Sequence, residues 1–201
     1  MSSVHELIVV TDPMCSWCWG MAAAIQTSRE QLADRAHFEL MLGGINTHGT
    51  QPIGDYGRRF LMRLWREVHE TTGQPFGFKL PETYVHNSVA PCVAIEYARE
   101  VSEVDPLDVL HLLQERFFVH GEDITDIELL TRLLETFDID SGGLEGSMRD
   151  PNMKARLQFQ FDNAGAFGTQ AMPSLLIRKE EGLKLFAGGY MDADMLASLL
   201  P

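Results

Sequence analysis

The motif Cys15-Ser16-Trp17-Cys18 restricts what this chain can fold into more than any other feature of it. It follows Glu6-Leu7-Ile8-Val9-Val10-Thr11, a β-branched run ended by Asp12-Pro13, which reads as a buried strand and a turn. From Cys18 to Leu32, apolar Met21, Ala24, Ile25 and Leu32 recur at helical spacing, with polar Gln26, Arg29 and Glu30 between them. The cysteine pair therefore opens a helix directly after a strand. Free N–H groups and the helix dipole at such a terminus favour a thiolate, which makes Cys15 the expected nucleophile. Two cysteines at this spacing can close a disulfide within one turn. Cys18, one turn deeper, is expected to attack a mixed disulfide on Cys15 and release the product.

The rest of the chain falls into three parts. Residues 37–42 read as a second strand stopped by Gly43-Gly44, and a β–α–β start with a short first turn opens a parallel α/β sheet. Residues 53–70, 88–101, 106–118, 126–137 and 151–161 then predict helices. Asn87-Ser88, Asp105-Pro106 and Asp150-Pro151 supply start signals, and Leu107, Leu110, Leu113 and Phe117 form one apolar stripe. Strand character returns at 173–178 and 183–187, joined by a turn at 179–182, before a last helix over 192–200. The order is βαβ, helices, ββα: an α/β fold with a split sheet and a large all-helical insertion. Residues 1–52 and 151–201 are expected to form one domain, and 53–150 an inserted helical domain. Both ends of the insertion attach to the sheet. It is therefore expected to cap the cysteines, with Phe60, Met62, Trp65, Phe76 and Phe78 either offering apolar surface to a groove or, for most of them, knitting the helical unit together.

Composition narrows the chemistry. Against 16 basic residues stand 29 acidic ones, a formal charge of −13, which argues against nucleic acid or an anionic membrane as partner. No apolar stretch approaches the roughly 18 residues of a membrane helix, and the start of the chain lacks the basic segment of a signal peptide, so a cytoplasmic location is expected. Three cysteines are too few, and odd in number, for a disulfide scaffold. In a reducing compartment a close pair points to catalysis, redox sensing or metal binding.

The pair admits other readings. A structural zinc site needs four ligands, and with no second such pair Cys92 or one of seven scattered His would have to complete it. A copper-transfer site could use the pair with Met14, although such modules need no long helical insertion. Two inert buried thiols are the third alternative. No metal is expected. Cys92 falls on the apolar face of a helix and reads as a small buried hydrophobe, its alternative being a second redox partner. Trp17 and Trp19 read equally as substrate contacts or as packing.

Residues 12–20, Asp-Pro-Met-Cys-Ser-Trp-Cys-Trp-Gly, resemble the active-site segment of the DsbA-like thioredoxin-fold family, especially its FrnE-like branch. The resemblance extends to Asn87-Ser88, to the stretch from Phe167 to Pro173 and to Gly188-Gly189, and the order of elements matches over nearly the whole chain. It implies a thioredoxin fold with an inserted helical domain and thiol–disulfide exchange as the activity. Proline opening a strand is ordinary by itself, but beside the cysteine pair Met172-Pro173 resembles the family's cis-proline loop. Such a loop would turn the backbone of Met172 toward the thiols to pair with an extended substrate. Catalytic Cys15 and Cys18, with Trp17, Met172, Pro173 and Asn87 as substrate contacts, are what the resemblance implies.

The partner would be a disulfide-containing protein or small molecule, with no cofactor beyond the redox-active disulfide; glutathione is admitted as a co-substrate, and oligomeric state is left open. The chain departs from the pattern in one respect. Many such proteins carry a buried acid six residues before the first cysteine, where this chain has Val9; the nearest carboxylate is Asp12, which also reads as a turn or cap residue. Two other functions remain open. One is a glutathione-dependent transferase or isomerase of the kappa-class and hydroxychromene-carboxylate isomerase branch, whose members generally have serine at the position of Cys15. The other is a non-enzymatic redox-sensing module.

Overall fold

The computed structural model describes residues 4–166 and 172–199. The stretch 167–171, which carries part of the resemblance, and the end of the helix expected to reach residue 200 lie outside these. Four strands form one sheet in the order β2-β1-β3-β4. β1 (His5–Thr11) pairs in parallel with β2 (Ala36–Leu42), Leu7 opposite Phe38 and Val9 opposite Leu40. On its other side β1 runs antiparallel to β3 (Ser174–Lys179), Val9 opposite Leu175, and β3 pairs antiparallel with β4 (Gly182–Gly188).

β1 is apolar without alternation because both of its faces are covered. Leu7 and Val9 join Phe38, Leu40, Leu42, Leu175 and Ile177 in the main core under α1 (Ser16–Gln31). Ile8 and Val10 face the other way, against Leu176, Met41 and Ala164 of α7 (Pro151–Ala164). Between β2 and α7 the chain forms α2 (Asp55–Thr72), α3 (Val89–Val101), α4 (Pro106–Phe118), α5 (Ile127–Glu135) and the single turn α6 (Leu144–Ser147); α8 (Ala193–Leu199) follows β4.

The helix starts follow their capping chemistry. Asp105 and Asp150 accept hydrogen bonds from the backbone N–H of Leu107 and Asn152, each with proline at the first helical position, and Asp126 accepts from Leu129 N, all at 2.9 Å. The expected ends shift where backbone conformation decides. α2 runs past residue 70 until Gly73, in the left-handed region at φ 72°, stops it. α5 ends earlier than expected, and Asp138 turns the chain away at φ 58°.

Of the two readings for the cap aromatics, packing holds for Trp65 and Phe76, which do not line a groove. Trp65 is fully buried and meets Phe117 and Phe118 edge-on at centroid distances of 5.6 and 5.2 Å, while Phe76 lies 5.4 Å from Trp65. These rings knit the helices together; Phe60 and Phe78 are exposed. The helices in turn press on α1. A methyl group at Gly20 would come within 2.7 Å of Val68 Cγ1, so the absent side chain is what lets α1 and α2 approach there. Among the described residues no helix is long and apolar enough to cross a membrane.

Candidate active site

The thiol pair sits where β1 ends and α1 begins. Cys15 is the N-cap of α1, its backbone extended at φ −85° and ψ 115°, and its carbonyl accepts the first helical bond from Trp19 N at 3.0 Å. Its side chain is half-buried. Cys18 is buried, 3 % exposed. Both thiols are free. Burial foremost, then the neighbouring Cys15 sulfur, pushes the Cys18 thiol well above its usual range; the Thr11 side chain opposes this. The accessible sulfur is thus that of Cys15, with Cys18 held protonated beneath it.

The second wall comes from the far end of the sequence. The Met172–Pro173 peptide bond is cis, and the Met172 carbonyl accepts a hydrogen bond from Cys15 Sγ at 3.8 Å. Gly189 N donates to Pro173 O at 2.9 Å, tying the turn before α8 to this loop. The thioether of Met172 lies over Gly43, where a Cβ would fall 1.9 Å from Sδ. Trp17 is half-buried with its ring 6.3 Å from that of Tyr190 at 47°. Trp19 has a packing role: it is 2 % exposed, its Nε1 donates to Pro75 O at 2.7 Å, and it stacks near Phe118.

Asp12 forms the turn before the cysteines by accepting from Met14 N at 2.7 Å, and it is wholly buried. Ser88 Oγ donates to its other oxygen at 2.6 Å, and Cys92 Sγ lies 4.0 Å from that oxygen. Burial outweighs these bonds and raises the carboxyl to about 6. Its charge also helps to hold the Cys18 and Cys92 thiols protonated. Cys92 itself is fully buried in the apolar core.

Asn87, expected to contact substrate, has its amide engaged in the scaffold. Nδ2 donates to Thr47 O at 3.2 Å and Gly49 O at 2.9 Å, and Oδ1 accepts from Val89 N at 2.8 Å. With Ser88, which also accepts from Ile45 N at 2.7 Å, it fastens the loop after β2 and the start of α3 to the turn before the cysteines. Thr11, Tyr190 and Gln114, whose Nε2 donates to Asp12 O at 3.1 Å, also meet at the site. Nothing local in the sequence marks them, since all three are brought there by packing. Among the described residues no cluster of three His, Cys, Asp or Glu is placed to hold a metal.

A four-stranded sheet of this order, a cysteine pair at the first helix terminus facing a proline before the third strand, and helices inserted between β2 and β3 make a DsbA-like thioredoxin fold. Comparison with solved structures agrees. The chain is 25 % identical, at a TM-score of 0.86, to a Nitrosomonas europaea protein provisionally described as a protein disulfide isomerase; the match covers 98 % of this chain and 96 % of the other. The cytosolic disulfide reductase DsbM from Pseudomonas aeruginosa, also solved with GSH, superposes at 0.74 with 22 % identity, covering 90 % and 88 %. A 2-hydroxychromene-2-carboxylate isomerase shares the fold at 0.63 and 10 % identity, covering 96 % and 92 %. No protein-family model and no curated protein matches the chain.

Proposed function

We propose that this protein is a thiol–disulfide oxidoreductase in which Cys15 exchanges with substrate and Cys18 resolves. The observation that carries the reading is the placement of a half-buried Cys15 sulfur at the start of α1, against the Met172 carbonyl, with a buried Cys18 thiol behind it. The disulfide-reductase and isomerase descriptions of the similar structures support it. Cys15 thiolate attacks one sulfur of a substrate disulfide, forming a mixed disulfide and expelling the other sulfur as thiolate. Cys18 then gives up its proton and attacks the Cys15 sulfur, closing the Cys15–Cys18 disulfide and releasing the second substrate thiolate. The enzyme is oxidised by two electrons and the substrate reduced by two; the reverse sequence oxidises a dithiol.

Cys18 needs a proton acceptor for its step. Asp12, held at about 6, is a carboxylate at neutral pH and close enough to influence the Cys18 thiol, so we assign it that task. Met172, Pro173 and Trp17 would hold an extended substrate segment beside Cys15, with Asn87 acting through the loop it fastens. Glutathione is a suitable co-substrate to restore the dithiol. The odd cysteine number favours a reducing, cytoplasmic setting, and the intact pair separates the protein from the serine-using isomerase branch, within a FrnE-like or DsbM-like group.

The test is a Cys18→Ser variant mixed with a disulfide substrate: a mixed disulfide should accumulate on Cys15, and turnover at the wild-type rate would refute the mechanism. A redox titration of the pair against glutathione then sets the direction. A potential near ~−270 mV marks a reductant and one near ~−120 mV an oxidant.

A further inference from the structure

Between α1, α4 and the end of the sheet lies a cavity of about 290 Å3. Its walls include Val9, Cys18, Met21, Ile25, Leu110 and Pro173, all buried. Cys15 does not line it, so a molecule held there would meet the resolving thiol and not the substrate-facing one. The exposed residues Gln26 and Asp108 border it and mark a mouth between α1 and α4. Arg29 stands at this mouth as well, committed to ion pairs with Asp105 and Asp108.

Well-packed interiors leave few voids larger than a water molecule, and a ligand site is typically a mostly apolar concavity with a few polar groups. An apolar cavity of about 150 Å3 is enough to take up benzene. This one has about twice that volume and so suits two fused rings, of about ten non-hydrogen atoms. Thr11, His111 and Gln114 also line it, but an anion would meet Asp108 and Glu115 while Arg29 is already committed to ion pairs, and a charge would lose hydration against the apolar part of the wall.

We propose that this cavity binds a neutral, two-ring aromatic molecule seated against Cys18 and Pro173, and that its occupancy slows resolution. The binding site stands on the cavity alone. Its consequence rests on the thiol-exchange reading: a ligand beside Cys18 excludes water and further disfavours the Cys18 thiolate, while attack by Cys15 proceeds.

The experiment titrates the reduced full-length protein with 2-naphthol by calorimetry and maps the site from methyl NMR shifts. Saturable binding with shifts at Met21, Ile25 and Leu110 is expected, and 2-naphthoate should bind at least tenfold more weakly. Ala22→Leu, which adds bulk to the cavity wall, should weaken 2-naphthol binding tenfold or more. If that variant does not fold, the wild-type methyl map decides instead. Absence of saturable binding, shifts centred elsewhere, or equal binding of naphthoate overturns the site. With 2-naphthol bound, release of a preformed mixed disulfide should slow severalfold while its formation keeps its rate; an unchanged release rate overturns the proposed consequence. A failed Cys18→Ser trap with naphthol binding intact would remove the thiol-exchange reading and leave the site standing.

Discussion

Two buried groups near the site titrate in the same pH window with opposite effects on stability, and separating them tests the electrostatic account directly. Asp12 is wholly buried and prefers its neutral form in the fold. At about 1.4 kcal/mol per pH unit, a carboxyl carried from 3.8 to about 6 contributes about 3 kcal/mol, fully present below pH 3.8 and lost as pH rises through 6. His86 behaves in reverse. Burial lowers its imidazole from 6.5 to about 4, with Nδ1 3.2 Å from the Tyr84 hydroxyl. By the same conversion its neutral form contributes about 3 kcal/mol, fully present above pH 6.5 and lost as pH falls through 4.

In the wild type these two contributions nearly cancel between pH 4 and 6.5. Asp12→Asn removes one of them. Asn can still accept from Met14 N, and Ser88 Oγ can turn its proton to Ile45 O at 3.4 Å, so the hydrogen-bond cost is about 1 kcal/mol and independent of pH. Urea unfolding across pH 4 to 8 should then show Asp12→Asn gaining about 3 kcal/mol relative to wild type as pH rises, and His86→Gln losing a similar amount. Other titrating groups are common to all three proteins and drop out of the differences. A difference between Asp12→Asn and wild type that stays constant across this range would refute the claim that burial raises the Asp12 carboxyl.

Gly43→Ala would drive a methyl group onto the Met172 thioether and force that flexible side chain to swing away beside Cys15; kcat/KM for disulfide exchange should fall up to about threefold, about 0.7 kcal/mol, with little change in Tm. Trp65→Ala opens a cavity among Phe76, Phe117 and Phe118 and should cost about 3–5 kcal/mol in urea unfolding; a cost under 1 kcal/mol would contradict the packing described. Cys92→Ala should cost about 1–2 kcal/mol for the lost sulfur in a filled core and leave exchange within about twofold, because Cys92 is buried and neutral. Abolished exchange in a folded Cys92→Ala protein would make it a third redox thiol.

Periodicity and local chemistry determine most of the fold by themselves. The unbroken apolar run of β1 requires cover on both faces, the helical stripe after Cys18 requires a helix on the sheet, and Asp-Pro pairs start α4 and α7 at the residues expected. The same is true of the cysteine pair at a helix terminus, because strand, turn and helix are consecutive in the chain. What is not consecutive needed the tertiary structure. That Met172 reaches Cys15 across 157 positions depends on β3 pairing beside β1. Whether Asp12 is a turn residue or a poised acid depends on the burial supplied by α3 and on Ser88, 76 residues away. Asn87 reads as a substrate contact until Thr47 and Gly49 are seen to occupy its amide, and Trp65 and Phe76 read as groove wall or packing until the helices are seen to close over them. Local sequence sets each element through short-range sterics and hydrogen bonding, whereas burial, and with it the protonation of Asp12 and Cys18, is a property of everything packed around a residue.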